Sequence, residues 1–407
     1  MTSKFDIESP VLHAVLYALL LFFTPFIMLR NFLQDAIGRA SAAGFELFGL
    51  SVPYVLIIAA LVMGAILYKY RREITLYRIA ALGVIVLMWL LGQKTADYYF
   101  NHRFYELQHN WHYIAYALFV LLIYRASKIR GIKRSRFALW GFLLPLFISA
   151  LDEILQVFIS SRVFDIGDIA KDSWGAVIGI VFAFFVIESG KIVRNGWQLR
   201  HSRLKGYLQS PWSITVLSAI FAYSLLFFGS LLTDIRYVLP AVCISIGFFI
   251  IAFAIIHLSR RKVPRTVMIT VAALVILGLI VSFALFHDEN MMLCREGLVI
   301  YRGIPIPYFD FLVFSNGCFR PVDRKLAFNQ RDILFFHEHA HDILLIGSGT
   351  SGRGGRGFPK EWGAQFIFNP ETERGLQVII QRTPKACETF NRLKEEGKNV
   401  LFVVHNG

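Results

Sequence analysis

Apolar residues run along this chain in long blocks, separated by short polar stretches. Blocks of about 20 mostly apolar residues, enough to cross a bilayer as helix, fall near 11–29, 50–68, 75–93, 110–126, 137–159, 168–188, 211–232, 236–257 and 266–286. The fourth is the shortest and opens on Trp111, His112 and Tyr113, amphipathic rings suited to the membrane interface. After residue 287 the pattern changes. Short apolar runs at 298–303, 308–314, 332–336, 342–346 and 376–381 predict strands. Residues 384–396 predict a helix with Thr383 as N-cap, Pro384 in the first turn and Gly397 closing it, before a last strand, NVLFVV. The pattern predicts an all-α polytopic membrane protein of about nine transmembrane helices with a small C-terminal α/β sandwich domain. Its expected divisions are a six-span membrane domain at 1–200, three further helices at 206–286 and the α/β domain at 295–407.

Composition agrees. Of 407 residues 56% are hydrophobic and 17% charged, against about 45–50% and 25% in soluble domains. The net charge of +14 does not point to nucleic acid, because Lys and Arg gather between the apolar blocks. Lys69, Arg71 and Arg72 follow the second block, six basic residues from Arg125 to Arg136 follow the fourth, and further groups follow the sixth and eighth. The alternate loops are poorer in Lys and Arg. The expected location is the cell inner (plasma) membrane, multi-pass, and the positive-inside rule sets the orientation. Its N-terminus is expected in the cytoplasm, and residues 150–172 and the C-terminal domain outside. A miscount of one span reverses the last placement. The opening MTSKFDIESP carries Asp6 and Glu8 and makes a poor signal peptide, so the first block reads as an uncleaved span. Cys294 and Cys318 flank an expected strand pair; a disulfide there would suit an oxidising compartment, and two free thiols are the alternative.

Carboxylates gather where two apolar blocks should meet, in ALDEILQVFISSRVFDIGDIAKDSWGAVIG, residues 150–179. Ionisable groups inside a bilayer cost several kcal/mol unless paired or hydrated. Helical spacing puts Asp152, Glu153 and Gln156 on one face, and Asp168, Asp172, Gly175 and Gly179 on one face of the next helix. Gly175 and Gly179 form a GxxxG pair, which lets another helix approach closely. Arg162 and Lys171 offset some of the five carboxylates, and His112 and Tyr116 start a helix at the same membrane face. The residues fit either a salt-bridged anchor of two helix ends or a polar pocket with paired carboxylates for binding or acid–base work.

Asp152-Glu153, Gln156, Arg162, Asp165, Asp168, Gly175 and Gly179, with His112 and Tyr116 upstream, resemble the signature of the VanZ-like family over about residues 75–190. Ser160-Ser161 replace a frequent Pro-Gly, and Asp172 stands where the family usually has Asn. The resemblance implies a cell-envelope membrane protein whose named member is associated with resistance to the glycopeptide teicoplanin. It implies no settled activity. Three readings stay open: a binder of a lipid headgroup or lipid-linked cell-wall precursor, a membrane enzyme acting on such lipids, and a structural scaffold. In the enzyme reading the Asp152/Glu153 pair and His112 serve as acid and base.

In the C-terminal third, Gly347, Gly349 and Gly352 spell GxGxxG, but Arg353, Gly354, Gly355, Gly357 and Pro359 do not open a helix, so a dinucleotide site is not expected. A cationic surface loop, or one whose amides hold an anion, fits better. His337, His339 and His341 would share one face of a strand and offer a metal site; a solvated polar face is the competing reading. No cofactor is expected. Gly347, Gly349, Thr383, Ala386, Asn391, Glu396 and Gly397 resemble a small α/β domain family that includes a mitochondrial complex I assembly factor. Its members are mostly soluble protein-binding modules of cytosol or matrix. The resemblance implies a protein partner for this domain and conflicts with an outside location.

Overall fold

The computed structural model describes residues 8–24, 36, 39–40, 43–47, 50–97, 107–159, 164–194, 196–233, 235–286, 290–324, 326–328, 330–340, 342–358, 365–369 and 374–407. The chain forms two compact units. One comprises residues 1–96, 102–230 and 235–260; the other comprises 261–407 with the stretches 97–101 and 231–234.

The first unit contains α1 (Pro10–Phe22), a hairpin of β1 (Gly44–Leu47) and β2 (Leu50–Pro53), then α2 (Tyr54–Tyr70), α3 (Leu76–Ala96), α4 (Leu107–Ile129), α5 (Arg134–Gln156), α6 (Ile166–Val181), α7 (Leu204–Gln209), α8 (Pro211–Leu231) and α9 (Val238–Leu258). Among the described residues, seven helical stretches are long and apolar enough to cross a membrane: 54–73, 76–96, 134–156, 166–187, 211–231, 235–258 and 262–282. Two expected spans fall short of that description. The first contains α1, only 13 residues long. The fourth is α4, whose 23 residues include His109, Asn110, His112, Arg125 and Lys128. The second begins as strand β2 and turns helical at Tyr54.

The interior of this unit is α6. Thirteen of its sixteen residues are buried, whereas in the span 54–73 none of the described residues is. Glycine makes that position possible. A Cβ on Gly175 would stand 2.8 Å from the carbonyl oxygen of Tyr113, and one on Gly179 would stand 2.8 Å from that of Ala117. Real side chains do not approach a backbone that closely, so α4 lies directly on the glycine face. On the flank, the Trp174 indole donates to the Met88 carbonyl at 2.8 Å and ties in α3. At the far end α6 widens into a π-helical turn, Phe182–Ile187. Glu188 comes next and accepts from the Tyr124 hydroxyl at 3.1 Å and from Arg134 Nε at 2.6 Å. The end of α4, the start of α5 and the end of α6 are thereby pinned together.

The second unit opens with the apolar helix α10 (Lys262–Leu285). A three-stranded antiparallel sheet follows: β3 (Met291–Arg295), β4 (Leu298–Tyr301) and β5 (Ile304–Pro307). A six-stranded mixed sheet has the order β7-β6-β11-β8-β10-β9. Its strands are β6 (Phe311–Val313), β7 (Phe319–Pro321), β8 (Ile343–Gly347), β9 (Gln365–Asn369), β10 (Arg374–Gln381) and β11 (Val400–Val404). β8 runs parallel to both β10 and β11. Period-two alternation builds two cores. Ile343, Leu345, Phe402 and Val404 face one side with Phe390 of α12 (Thr383–Glu395). Leu344, Ile346, Leu401 and Val403 face the other with Phe335 and Phe336 of α11 (Gln330–His339).

Three local expectations change here. Residues 332–336 are helical, because Asp332, Phe335, Phe336 and Ala340 bury one face at helical spacing. Thr383 is the first helical residue, with Arg382 at the N-cap; its Oγ1 donates to His405 O and accepts from Gly349 N instead. The disulfide joins Cys294 to Cys387, not to Cys318, which is free and exposed. The reason is the seat of α12 on β3, where Asn391 bonds both N and O of Met291; Cys387 lies one turn earlier on α12.

Two expectations can be measured on the detergent-solubilised chain. Gly179→Leu should lower the thermal unfolding midpoint by the cost of overpacking, about 1–3 kcal/mol. Gly83→Leu, where a Cβ meets nothing within 4 Å, should leave it unchanged; equal melting of both variants would rule out the close α4–α6 seat. Thiol labelling of denatured, unreduced protein should modify Cys243 and Cys318 only, and reduction should destabilise the second unit by about 2–4 kcal/mol.

Candidate functional site

The N-terminal end of α4, the C-terminal end of α5 and the N-terminal end of α6 bring the polar residues of 150–172 together. On α6, Asp168 and Asp172 are one turn apart and face α4. His112 of α4 answers both: Nδ1 lies 2.9 Å from Asp172 Oδ1 and Nε2 3.6 Å from Asp168 Oδ1. Ser149 of α5 donates to Asp172 Oδ2 at 2.6 Å. The Tyr116 hydroxyl reaches the same Asp172 and Ser149. Lys171 donates to Asp168 Oδ1 at 2.7 Å.

Exposure separates a floor from a mouth. The Asp172 side chain is 3% exposed and Ser149 fully buried, whereas His112 and Asp168 are 24% and 26% exposed and Lys171 14%. Asp168, Lys171 and His112 are thus partly open to solvent, while Asp172 and Ser149 are not. Asp172 holds the ring with its N–H on Nδ1, which leaves Nε2 as the atom at the mouth. Such a ring can accept or deliver a proton there.

Glu153 has a different task. It is buried, and both of its oxygens are used: Oε1 accepts from Gln156 Nε2 at 2.6 Å and Oε2 from Asp165 N at 2.9 Å. It clamps the turn between α5 and α6. Asp165 caps α6, its Oδ1 accepting from Gly167 N at 2.7 Å. Burial and the neighbouring Asp168 push its pKa up to about 6. Asp152 Oδ1 is shielded with no hydrogen-bond partner among the described residues. The carboxylate that bonds His112 is Asp172. Arg162 lies outside the described residues.

Sequence spacing did not single out Ser149, although it stands three and four residues before Asp152 and Glu153 on one helical face. It also missed Asn110, whose Oδ1 accepts from Trp89 Nε1 at 2.6 Å and Gln93 Nε2 at 2.7 Å and fixes α3 to the start of α4.

The VanZ/LLP1 family model matches residues 14–187. This segment is VanZ-like. The match reaches well beyond the motif-bearing residues, to α1 and through the π-helical turn, so it takes in all the helices that build the site. Elsewhere in the chain as well as in this segment, described helices are long and apolar enough to cross a membrane. No curated protein matches it. A solved structure, MT938, is 21% identical over 29% of this chain and 98% of its own, with a TM-score of 0.22; at that score it carries nothing about the fold. The resemblance of the C-terminal third to the complex I assembly-factor family gains no confirmation from it.

The histidine metal site loses its geometric basis. His337 and His339 lie on helix α11, where a two-residue step turns them away from each other. His339 Nδ1 lies 2.8 Å from Phe335 O, and its ring stacks on Phe335. His341 is outside the described residues. Among the described residues no group of three or more His, Cys, Asp or Glu could hold a metal.

The cap supplies a pH test. Asp165 has an ordinary pKa of 3.8 and a folded value of about 6, so the folded chain binds this proton more tightly. Its contribution is complete below the ordinary value and lost as pH rises through about 6. Asn also caps helices well. Asp165→Asn should therefore gain thermal stability relative to the parent between pH 4 and pH 7.5; a constant offset across that range would contradict the assignment.

Proposed function

We propose that this VanZ-like protein binds a polar lipid headgroup or a lipid-linked wall precursor at the outer face of the cell inner membrane, and thereby alters susceptibility to glycopeptides. The observation that carries the reading is the half-open trio of Asp168, Lys171 and His112 over the buried Asp172–Ser149 floor. An anchor that only joined helix ends would gain nothing by leaving a charged pair accessible beside an imidazole nitrogen. Glu153, Gln156 and Asp165 shape the turn, and Tyr116 lines the floor. The opposite ends of α4 and α5 carry Arg125, Lys128, Arg130, Lys133, Arg134 and Arg136, which under the positive-inside rule supports a cytoplasmic setting for that end and an outer-face setting for the site. The disulfide of the second unit supports an oxidising, extracytoplasmic setting for that part. Its remaining surface would serve a protein partner.

A second reading, acid–base chemistry on the bound lipid, is favoured by the His112–Asp172 pair. Asp172 stands where Asn is usual in the family, so this chain has a carboxylate available to stabilise a protonated ring. Asp168→Ala and Glu153→Ala separate the possibilities. Both variants should reach the membrane at parental levels and lose protection against teicoplanin, with Asp168→Ala also losing co-purified lipid by native mass spectrometry. Unchanged protection in both would leave the cluster a structural anchor. Turnover of extracted lipids that His112→Gln abolishes would mark an enzyme.

A further inference from the structure

Four residues form a row across the six-stranded sheet, at the carboxyl ends of its parallel strands. Val404 pairs with both Phe311 and Gly347, and Gly347 pairs with Gln381. One step further on, the register places His405 between Asp310 and Ser348, and Arg382 beyond Ser348. Backbone bonds continue to that step, from His405 N to Gly347 O at 3.2 Å and from Ser348 N to Gln381 O at 2.7 Å. Alternation turns Asp310, His405 and Ser348 to the face that Leu312, Val403 and Ile346 occupy.

The row is connected. His405 Nδ1 donates to Asp310 Oδ2 at 2.7 Å, and Asp310 Oδ1 accepts from Asn406 N at 2.8 Å. Both side chains are almost fully buried, at 2% and 0% exposure. Held this way, the imidazole presents a lone pair at Nε2, and that atom is shielded with no partner among the described residues. Buried polar atoms are nearly always paired. A purely structural strand clasp would not need to leave a ring nitrogen empty.

The glycine-rich loop covers Nε2. A Cβ on Gly354 would lie 3.2 Å from His405 Nε2 and 3.2 Å from Ser348 Cα. A Cβ on Gly352 would lie 3.4 Å from Arg382 Nε and 3.9 Å from Ser348 Oγ. The glycines are thus the residues that border the serine, the arginine and the histidine at once. Any side chain at either position would enter the space between them. Ser348 Oγ donates to Gln381 O at 2.9 Å, while the Ser348 Cα and His405 Nε2 both lie 3.2 Å from the one Gly354 Cβ position, close enough for a rotated hydroxyl to meet the ring.

We propose that Ser348, His405 and Asp310 form an acyl-transfer site under this loop, acting on an acyl ester. Ser348 Oγ forms a bond to the acyl carbon as its proton passes to His405 Nε2. The ester C–O bond breaks, and the alcohol leaves with that proton. Water then gives a proton to Nε2 while its oxygen bonds the acyl carbon; Oγ departs and recovers the proton, releasing a carboxylic acid. Asp310 is a positioning residue, fixing the ring's tautomer through its bond to Nδ1. Arg382, exposed beside Ser348, offsets the negative charge on the tetrahedral oxygen. The loop lifts to admit the ester, pivoting on Gly349, Gly352, Gly355 and Gly357, all at positive φ.

The test uses the full chain in detergent, a fluorophosphonate probe and 4-nitrophenyl acetate. Peptide mapping should place one adduct on Ser348. Ser348→Ala, which changes only the hydroxyl, should abolish that adduct and lower ester hydrolysis roughly 1,000-fold or more. Asp310→Asn should lower hydrolysis at neutral pH and shift its pH profile, which loss of a strand clasp alone would not do. If Asp310→Asn fails to fold, Ser348→Ala still decides. Folded parent protein that takes no probe at Ser348, or Ser348→Ala hydrolysing at the parental rate, overturns the proposal.

Discussion

The close seat of α4 on α6 is the constraint on which the rest of the first unit depends. Two glycines remove the side chains that would hold the helices apart, and dispersion between backbones then acts at short range. Because lipid tails offer no hydrophobic drive toward association, such close packing is a principal source of helix affinity in membranes. It also sets the register of the site. Gly175 lies against His112 and Tyr113, so the same contact that joins the helices brings the imidazole opposite Asp168 and Asp172. Site and fold are one packing event here.

The polar network has two layers with different physical tasks. Glu153 and Asp165 spend their oxygens on backbone and amide N–H groups of a tight connection. Asp172 spends its oxygens on side chains that hold a ring and a hydroxyl. The first layer removes freedom from the turn. The second gives the ring an orientation, with its other nitrogen turned toward Asp168. Charges that composition alone presents as a single acidic cluster are thus divided by their donors into a clamp on the turn and a holder of the ring.

Much of this could be read from the chain. Long apolar blocks gave the helices of the first unit because hydrophobicity along 20 residues is a property of one segment. The GxxxG face and the DE-x-x-Q motif were legible for the same reason: each is a local spacing. What failed depended on neighbours. The residues around Phe335 suit a strand or a helix equally, and only burial of Asp332 and Phe336 on one face decides. Cys294 could have joined any thiol; its partner was chosen by how α12 sits on β3. His112 has carboxylates on two other helices within reach of a guess, and no spacing along one helix can show which of them it bonds.

Glu188 gives the helix trio a second fastening at the end opposite the site. With α4, α5 and α6 held at both ends and glued by glycine between, none of the three can slide, rotate or tilt alone. They behave mechanically as one strut. A load at the Asp168 end therefore falls on the three helices together, and on α3, which leans on them through Trp174 and Asn110.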